Sequence, residues 1–483
     1  MCKDVIKDSS DRSNSPIRIL TIGYGYRLIK ILWNPVANET GFQINHIPHP
    51  SLFPGDFPNE LEDIETSELH YMFSEPIKQP AKPDISFLES LEENEKFTIH
   101  NVILADEHLA KLPYAESIAY IGMASKQIQR ILGFYRPNVA LSGFEGWHNS
   151  LAMLICKKMG VHWYGIVYTP IPKGLFGFSS TNNSSQTRAF GRLENKVVEE
   201  LARTSLVAFS EGAEKVFVPH VEDSLLNLLR LMPNRLRNLK NKFRIIVSGK
   251  FDRFTHRSFR ESFSDYVGRI WNAFSSRKMP MLREPPECEY SFFALHMQPE
   301  MGIDVWAPYY SNQLWVVNVI ARSLPPTQKL LVKLHKIDIG RWNYSELMRL
   351  KSIPAVVLVH DSANATEFIK NANIVFSIQG TVAYEAAMLG RKVITFGETM
   401  YQDFPNVYKV GVLEELPSLV REILGIDNPA PEKVQQGLTK LLSRFRPGVF
   451  NNWALAPSTD QIKNFSRHIE SMAEQITENR VAK

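Results

Sequence analysis

Between Tyr290 and Gly397 the chain repeats one pattern five times, a short apolar run followed by a polar or helical spacer. The runs are YSFFALHM (Tyr290–Met297), KLLVKLH (Lys329–His335), AVVLVH (Ala355–His360), IVFSI (Ile374–Ile378) and KVITFG (Lys392–Gly397), with helical spacers such as Gln313–Arg322 and Thr381–Leu389. Runs this short, mostly apolar without regular polar alternation, read as strands buried on both faces of a sheet. A helix between successive strands forces parallel pairing through right-handed crossovers. The stretch therefore predicts an α/β, doubly wound, Rossmann-like domain, in which ligands bind at the carboxyl ends of the strands.

A similar alternation lies upstream. After a polar leader, IRILTIGYGYRLIKILW gives a strand over Ile17–Ile22, broken by Gly23 and Gly25, and then a helix or second strand. Pro48–Pro83 is rich in proline and acids and reads as a long loop with one short helix around Glu60–Met72. Then come a strand at NVILAD (Asn101–Asp106), a helix over Tyr114–Gly133, a strand at NVALSG (Asn138–Gly143), a helix over Asn149–Met159 and a strand at VHWYGIVY (Val161–Tyr168). At 483 residues the chain exceeds what one core serves. It divides into an amino-terminal Rossmann-like domain (16–187), a mainly helical basic linker or insertion (188–285), a carboxyl-terminal α/β domain (286–425) and a helical tail (426–483) with a helix over Thr459–Glu478.

Charge and cysteine content narrow the function. Lys and Arg number 55 against 51 Asp and Glu, a net +4 too small to point to nucleic acid. Within 230–260, however, ten Lys or Arg face the single acid Asp252. That run is either a solvated helix face or a surface for anionic lipid or a polyanionic substrate. Cys2, Cys156 and Cys288 suit neither a disulfide framework nor a zinc site. With no apolar segment long enough for a signal or a membrane span, a soluble cytoplasmic protein is expected. GYGYR (Gly23–Arg27) lacks the full dinucleotide spacing and a following acid, which excludes a nicotinamide cofactor.

The most informative segment is FSIQGTVAYEAAMLGRKVITFG, Phe376–Gly397. A strand ends at Ile378, Gln379 and Gly380 form a turn, and a helix begins at Thr381. Its unpaired backbone donors and positive dipole end suit a phosphate, and Gly380 lets the anion approach the backbone. Glu385, one turn on, is placed to take ribose hydroxyls. His296, Gln298 and Glu300 follow the strand at Ser291–Leu295, and Lys333 and His335 share a face at another strand end, where a cation and an imidazole can neutralise phosphate oxygens.

The order LHMQPE, Gln313, ARSLPPTQKLLVKLH and SIQGTVAYEAAMLGRKVITFG resembles the carboxyl half of the capsule polysaccharide biosynthesis family, which includes bacterial capsule Kdo transferases and related surface-carbohydrate proteins. The resemblance runs from Tyr290 to about Tyr401; the first half is similar in outline only. It implies a GT-B-like fold, two Rossmann-like domains facing across a cleft, with the nucleotide sugar on the carboxyl domain and the acceptor on the amino domain. It also implies Lys333 and His335 at the nucleotide phosphate, Gln379, Gly380 and Thr381 at the phosphate-binding turn, Glu385 at the ribose, and His296, Gln298 and Glu300 on the cleft floor. The family often has proline after the histidine of VKLH, where this chain has Lys336.

Such a transferase is expected to need no metal or other cofactor, because helix dipoles and cationic side chains stabilise the leaving phosphate; His335 is one such group. The base on the acceptor hydroxyl is sought among Asp106, Glu107, Glu145 and His148, with Glu145 preferred because Gly143 and Gly146 flank it and Trp147 offers a stacking face. The expectation is therefore a glycosyltransferase of capsule or other surface polysaccharide. Its donor is CMP-, UDP- or GDP-linked and its acceptor a glycan or glycolipid, reached at the inner face of the cytoplasmic membrane. A sugar-nucleotide epimerase and a non-catalytic assembly or export protein are the alternatives.

Overall fold

A computed structural model describes residues 16–54, 68–143, 145–181, 183–191, 193–214, 251–336, 339–448 and 456–481, together with 243, 245–247 and 249. The first half contains β1 (Arg18–Tyr24), β2 (Gln43–Pro48), β3 (Val139–Ser142), β4 (His162–Tyr168), β5 (Leu175–Ser179) and β6 (Thr187–Arg188). The second contains β7 (Tyr290–Ala294), β8 (Lys329–Lys333), β9 (Val356–Val359), β10 (Val375–Ser377), β11 (Val393–Thr395) and β12 (Val407–Lys409). A last strand, β13 (Arg446–Pro447), returns to the first sheet.

The first sheet runs β13-β5-β4-β3-β1-β2, with β6 on β5. Its β1 to β4 are parallel, while β5, β6 and β13 pair antiparallel. Leu20 and Ile22 of β1 pack with Ile121, Ile128 and Leu151 from the helices Tyr114–Tyr135 and Trp147–Lys158. Ile19, on the other face, joins Trp33 and the terminal helix Thr459–Val481 through Phe465 and Met472. The tail is thus divided: the helix Pro431–Leu442 sits in the core of the second half, while β13 and the terminal helix complete the first.

The second sheet is all parallel, in the order β12-β11-β10-β7-β8-β9. Alternate residues enter opposite cores: Phe292, Leu331 and Val375 on one face, Phe293, Val332 and Phe376 on the other. This two-sided burial is why the strands read as unbroken apolar runs. The chain moves outward to β8 on one side of β7 and to β11 on the other side of β10. The carboxyl ends of β7 and β10 therefore part, and a crevice opens between them.

Two sequence expectations are corrected. NVILAD is no strand, because Ile99–Leu104 is a helix. Thr98 and Asn101 form a capping box at its start, and Ile99, Val102 and Ile103 are buried at helical spacing. Of the short helix expected around Glu60–Met72, the described residues are helical only at Glu68, after which Leu69 bridges to His46 as extended chain. The segment after Gly25, expected as a helix or a second strand, is helical to Thr40, and β2 follows it unannounced. Most of 230–250 lies outside the described residues.

Candidate functional site

The crevice between β7 and β10 holds a cavity of about 280 Å³. His296, Glu300, His335, Gln379, Gly380 and Thr381 line it from the second half, and Pro170 and Ser184 from the first. Six residues singled out in the sequence thus meet in one space. Trp306, Tyr384, Thr399 and Tyr401 complete the wall.

His296 is fixed on both sides. Its backbone N–H donates to Gln313 Oε1 at 2.7 Å, and Gln313 Nε2 donates back to its carbonyl at 3.1 Å and to Gln298 Oε1 at 2.9 Å. The ring Nε2 lies 3.3 Å from the Ile378 N–H. That amide is an obligatory donor, so Nε2 accepts. Burial, helped by His335, pushes the imidazole pKa down to about 3. His296 is therefore neutral, with its proton on Nδ1.

That Nδ1 edge faces the turn at Gly380. A Cβ on Gly380 would lie 2.8 Å from His296 Cε1 and 3.3 Å from Nδ1, so only glycine lets the turn lie against the imidazole. Tyr401 holds the same turn. Its hydroxyl donates to Gly380 O at 2.8 Å and accepts from Gly380 N at 3.3 Å. The N-cap residue of the helix Thr381–Met388 is Gly380, and among the described residues no side chain caps it, so its amino end is left to the cavity. Gln379 is buried, and its Nε2 has no hydrogen-bond partner among the described residues. A fixed anion-friendly turn, the Gln379 side chain and a neutral imidazole thus line one space.

The other assigned residues lie outside this space. Gln298 Nε2 donates to Asp304 Oδ1 at 2.8 Å and to Ser311 O at 2.9 Å, bracing the loop after β7. Lys333 is buried and donates to the carbonyls of Asp361 at 2.7 Å and Leu334 at 3.1 Å. Burial lowers its pKa to about 8, partly offset by Asp361. Glu385 is buried against Thr366, whose hydroxyl reaches it at 3.4 Å, and burial raises its carboxyl to about 7. His335 also lines a second cavity of about 300 Å³ with Arg277, Arg283, His360 and Asp361. There Arg283 donates to Ser362 Oγ at 3.0 Å and approaches His360 Nε2 at 3.2 Å. The sequence reading passed over these cations.

In the first half a cavity of about 340 Å³ opens at the carboxyl ends of β1, β3 and β4, lined by Gly23, His49, Glu145, His148, Asn149 and Tyr168 among others. Gly23 has φ +83°, and a Cβ there would fall 2.4 Å from His148 Nε2, so the GYGYR turn makes room for the imidazole. His148 is buried and held far below its usual range by desolvation and by His49, with Nδ1 unpartnered among the described residues. Glu145 stands at the rim, where its side chain keeps contact with solvent while the surrounding walls raise its carboxyl pKa. The other acids in view are engaged. Asp106 accepts from the N–H groups of His108 and Leu109, and Glu107 pairs with Arg257 and Arg341. Tyr168 lines this cavity and Pro170 the crevice. Two residues of chain span at most about 7 Å, so the two linings come close to each other at this point of the chain.

Residues 239–405 match the family model described as Capsule polysaccharide biosynthesis protein, the family that the segment from Tyr290 to about Tyr401 resembles. No curated protein matches the chain. Among solved structures, the chain resembles the Thermosulfurimonas dismutans KpsC beta Kdo 2,4 transferase at 11% identity and TM-score 0.38, over 68% of this chain and 87% of that one. It resembles the beta Kdo 2,7 transferase of the same KpsC at 11% identity and TM-score 0.32, over 71% and 89%. It also resembles the Methanocaldococcus jannaschii UDP-GlcNAc 2-epimerase, solved with UDP-GlcNAc and UDP, at 14% identity and TM-score 0.30, over 88% and 99%.

Proposed function

We propose that the protein is a glycosyltransferase of capsule or related surface polysaccharide, moving a sugar from a nucleotide-linked donor to a glycan or glycolipid acceptor. The observation that carries this reading is the closeness of two chemically different cavities, whose linings include Tyr168 and Pro170, two residues apart. One is lined by the helix amino end, Gln379, His335 and the neutral His296; the other presents a carboxylate with a raised pKa.

In this reading the donor phosphate lies on the turn Gln379–Thr381 with His335 beside it. The acceptor hydroxyl, held in the first-half cavity, attacks the anomeric carbon and loses its proton to Glu145. The bond from that carbon to phosphate oxygen breaks, and the phosphate leaves with the electron pair. Helix dipole and hydrogen-bond donors then stabilise its charge. A carboxylate with a raised pKa is a stronger base than an ordinary one. Lys333 serves from behind, holding the loops after β8 and β9. A glycolipid acceptor would bring the enzyme to a membrane surface, and no helix among the described residues is long and apolar enough to cross one.

The test is incubation with CMP-, UDP- and GDP-linked sugars, with and without oligosaccharide acceptor, followed by nucleotide release and product analysis. Nucleotide release that acceptor accelerates, with a new glycosidic product, is expected. Isomerised sugar nucleotide without transfer would favour an epimerase. Binding without turnover of any donor would favour an assembly protein.

A further inference from the structure

The helix Phe259–Ser276 turns an apolar face outward. Phe259, Phe263, Val267, Trp271 and Phe274 follow one another at spacings of four, four, four and three, so they share about a third of the helix circumference. Each is between 48% and 70% exposed. A stripe of this kind usually marks the side of a helix that packs on the core, but here a different side does so. Ala273 packs with Ile339, Asn272 Nδ2 donates to Gly340 O at 3.0 Å, and a Cβ on Gly340 would fall 2.1 Å from Arg269 O. A capping box of Ser258 and Glu261 secures the amino end. The helix is therefore anchored independently of the stripe, which is left in solvent.

The surroundings select the partner. Arg253, Arg260, Arg277 and Lys278 are exposed on and beside this helix, and Glu261 is the one exposed acid among the described residues from 251 to 280. The sequence from Arg230 to Arg260 is itself strongly cationic. A second copy docking through the same patch would set cations against cations. Exposed Trp and Phe on a helix flanked by Lys and Arg instead match the interface of an anionic bilayer, where rings enter the acyl boundary and cations meet headgroups.

We propose that the Phe259–Phe274 face docks on anionic lipid. The same helix lines the His335 cavity through Ala273, Ser276 and Arg277, so docking would hold the crevice at a fixed place beside the membrane. The purpose of docking rests on the sugar-transfer reading; the docking does not.

The full chain is sedimented with vesicles of phosphatidylcholine containing about 30% phosphatidylglycerol, and with phosphatidylcholine alone, at about 50 mM and about 500 mM salt. Binding to the anionic vesicles is expected at low salt, weakened about tenfold or more at high salt or without phosphatidylglycerol. The double variant F263S/W271S, with a native circular-dichroism spectrum, is expected to lose about hundredfold in vesicle affinity and to keep its nucleotide affinity. Should that variant fail to fold, quenching by brominated lipid serves instead: it should fall in Trp271→Phe relative to wild type. Absence of binding to anionic vesicles, equal binding by the folded double variant, or quenching unchanged by Trp271→Phe overturns docking and leaves donor turnover untouched. So does a wild-type dimer that the double variant abolishes without any vesicle binding.

Discussion

Gly380→Ala isolates the contact on which the crevice depends. Gly380 has φ 168°, an extended conformation open to any residue, so alanine brings no backbone strain. It brings a methyl group 2.8 Å from His296 Cε1, about 0.7 Å inside a normal carbon–carbon contact. The imidazole cannot retreat freely, because Gln313 holds its backbone and its Nε2 already accepts from Ile378 N–H at 3.3 Å. Moving the ring outward breaks that bond and fills the space assigned to phosphate. Overpacking costs about 1–3 kcal/mol, and a stranded amide a similar amount. If about 2 kcal/mol of this falls on the liganded state, the nucleotide Kd rises about thirtyfold. Calorimetric titration with CMP and UDP measures it, with thermal melting as the check on folding. The cause is tested by a cycle with His296→Ala: once the ring is gone, adding Gly380→Ala should change Kd by less than about threefold. A folded Gly380→Ala protein with wild-type affinity, or effects that simply add in the cycle, would refute the reasoning.

Tyr401→Phe removes the hydroxyl that spans Gly380 N and O; about 1 kcal/mol is expected from stability and a Kd increase of about three- to tenfold, and unchanged titrations would contradict it. Glu385 has a folded pKa of about 7, above its unfolded value, so its contribution is fully present below the unfolded pKa and is lost as pH rises through about 7. Glu385→Gln should therefore raise stability at pH 8 relative to pH 4 by up to about 3 kcal/mol compared with wild type, and parallel denaturation midpoints across that range would exclude it. Glu145→Gln should lower transfer by about 10²- to 10⁴-fold with donor affinity unchanged. The acid limb of the wild-type pH–rate profile should lie above the ordinary carboxylate range, because the base acts deprotonated and its pKa is raised. A turnover within a few-fold of wild type would move the base elsewhere.

The parts of the fold visible in the sequence were those where burial leaves a one-dimensional trace. Phe292 and Phe293 enter opposite cores, so β7 reads as an apolar run, and β8 to β11 follow the same rule. β2 did not show, because its buried residues include Asn45 and His46, which bond to His70 and Thr21 across space. NVILAD misled because a short apolar run with Val, Ile and Leu side by side suits a strand or a buried helix equally, and the Thr98 cap lay just before the run. In the crevice, His296, Gln379, Gly380 and Thr381 were found because strand ends and a glycine turn are local features. Tyr401, Pro170 and Ser184 come from distant segments and carry no local sign. Lys333 was legible as a strand-end cation, but its turn toward the carbonyls of Leu334 and Asp361 depends on β9, which the sequence does not place beside it.

The central claim is that a nucleotide phosphate rests on the amino end of the helix Thr381–Met388. Hydrogen–deuterium exchange of the full chain with and without CMP- or UDP-sugar tests it directly, since the first-turn amides of that helix have no intrahelical partner and should exchange quickly when free. Saturating donor is expected to protect the peptide covering Ile378–Tyr384 by about tenfold or more, with lesser protection around His335. Tight donor binding that leaves Ile378–Tyr384 exchanging as in the free protein would contradict the claim.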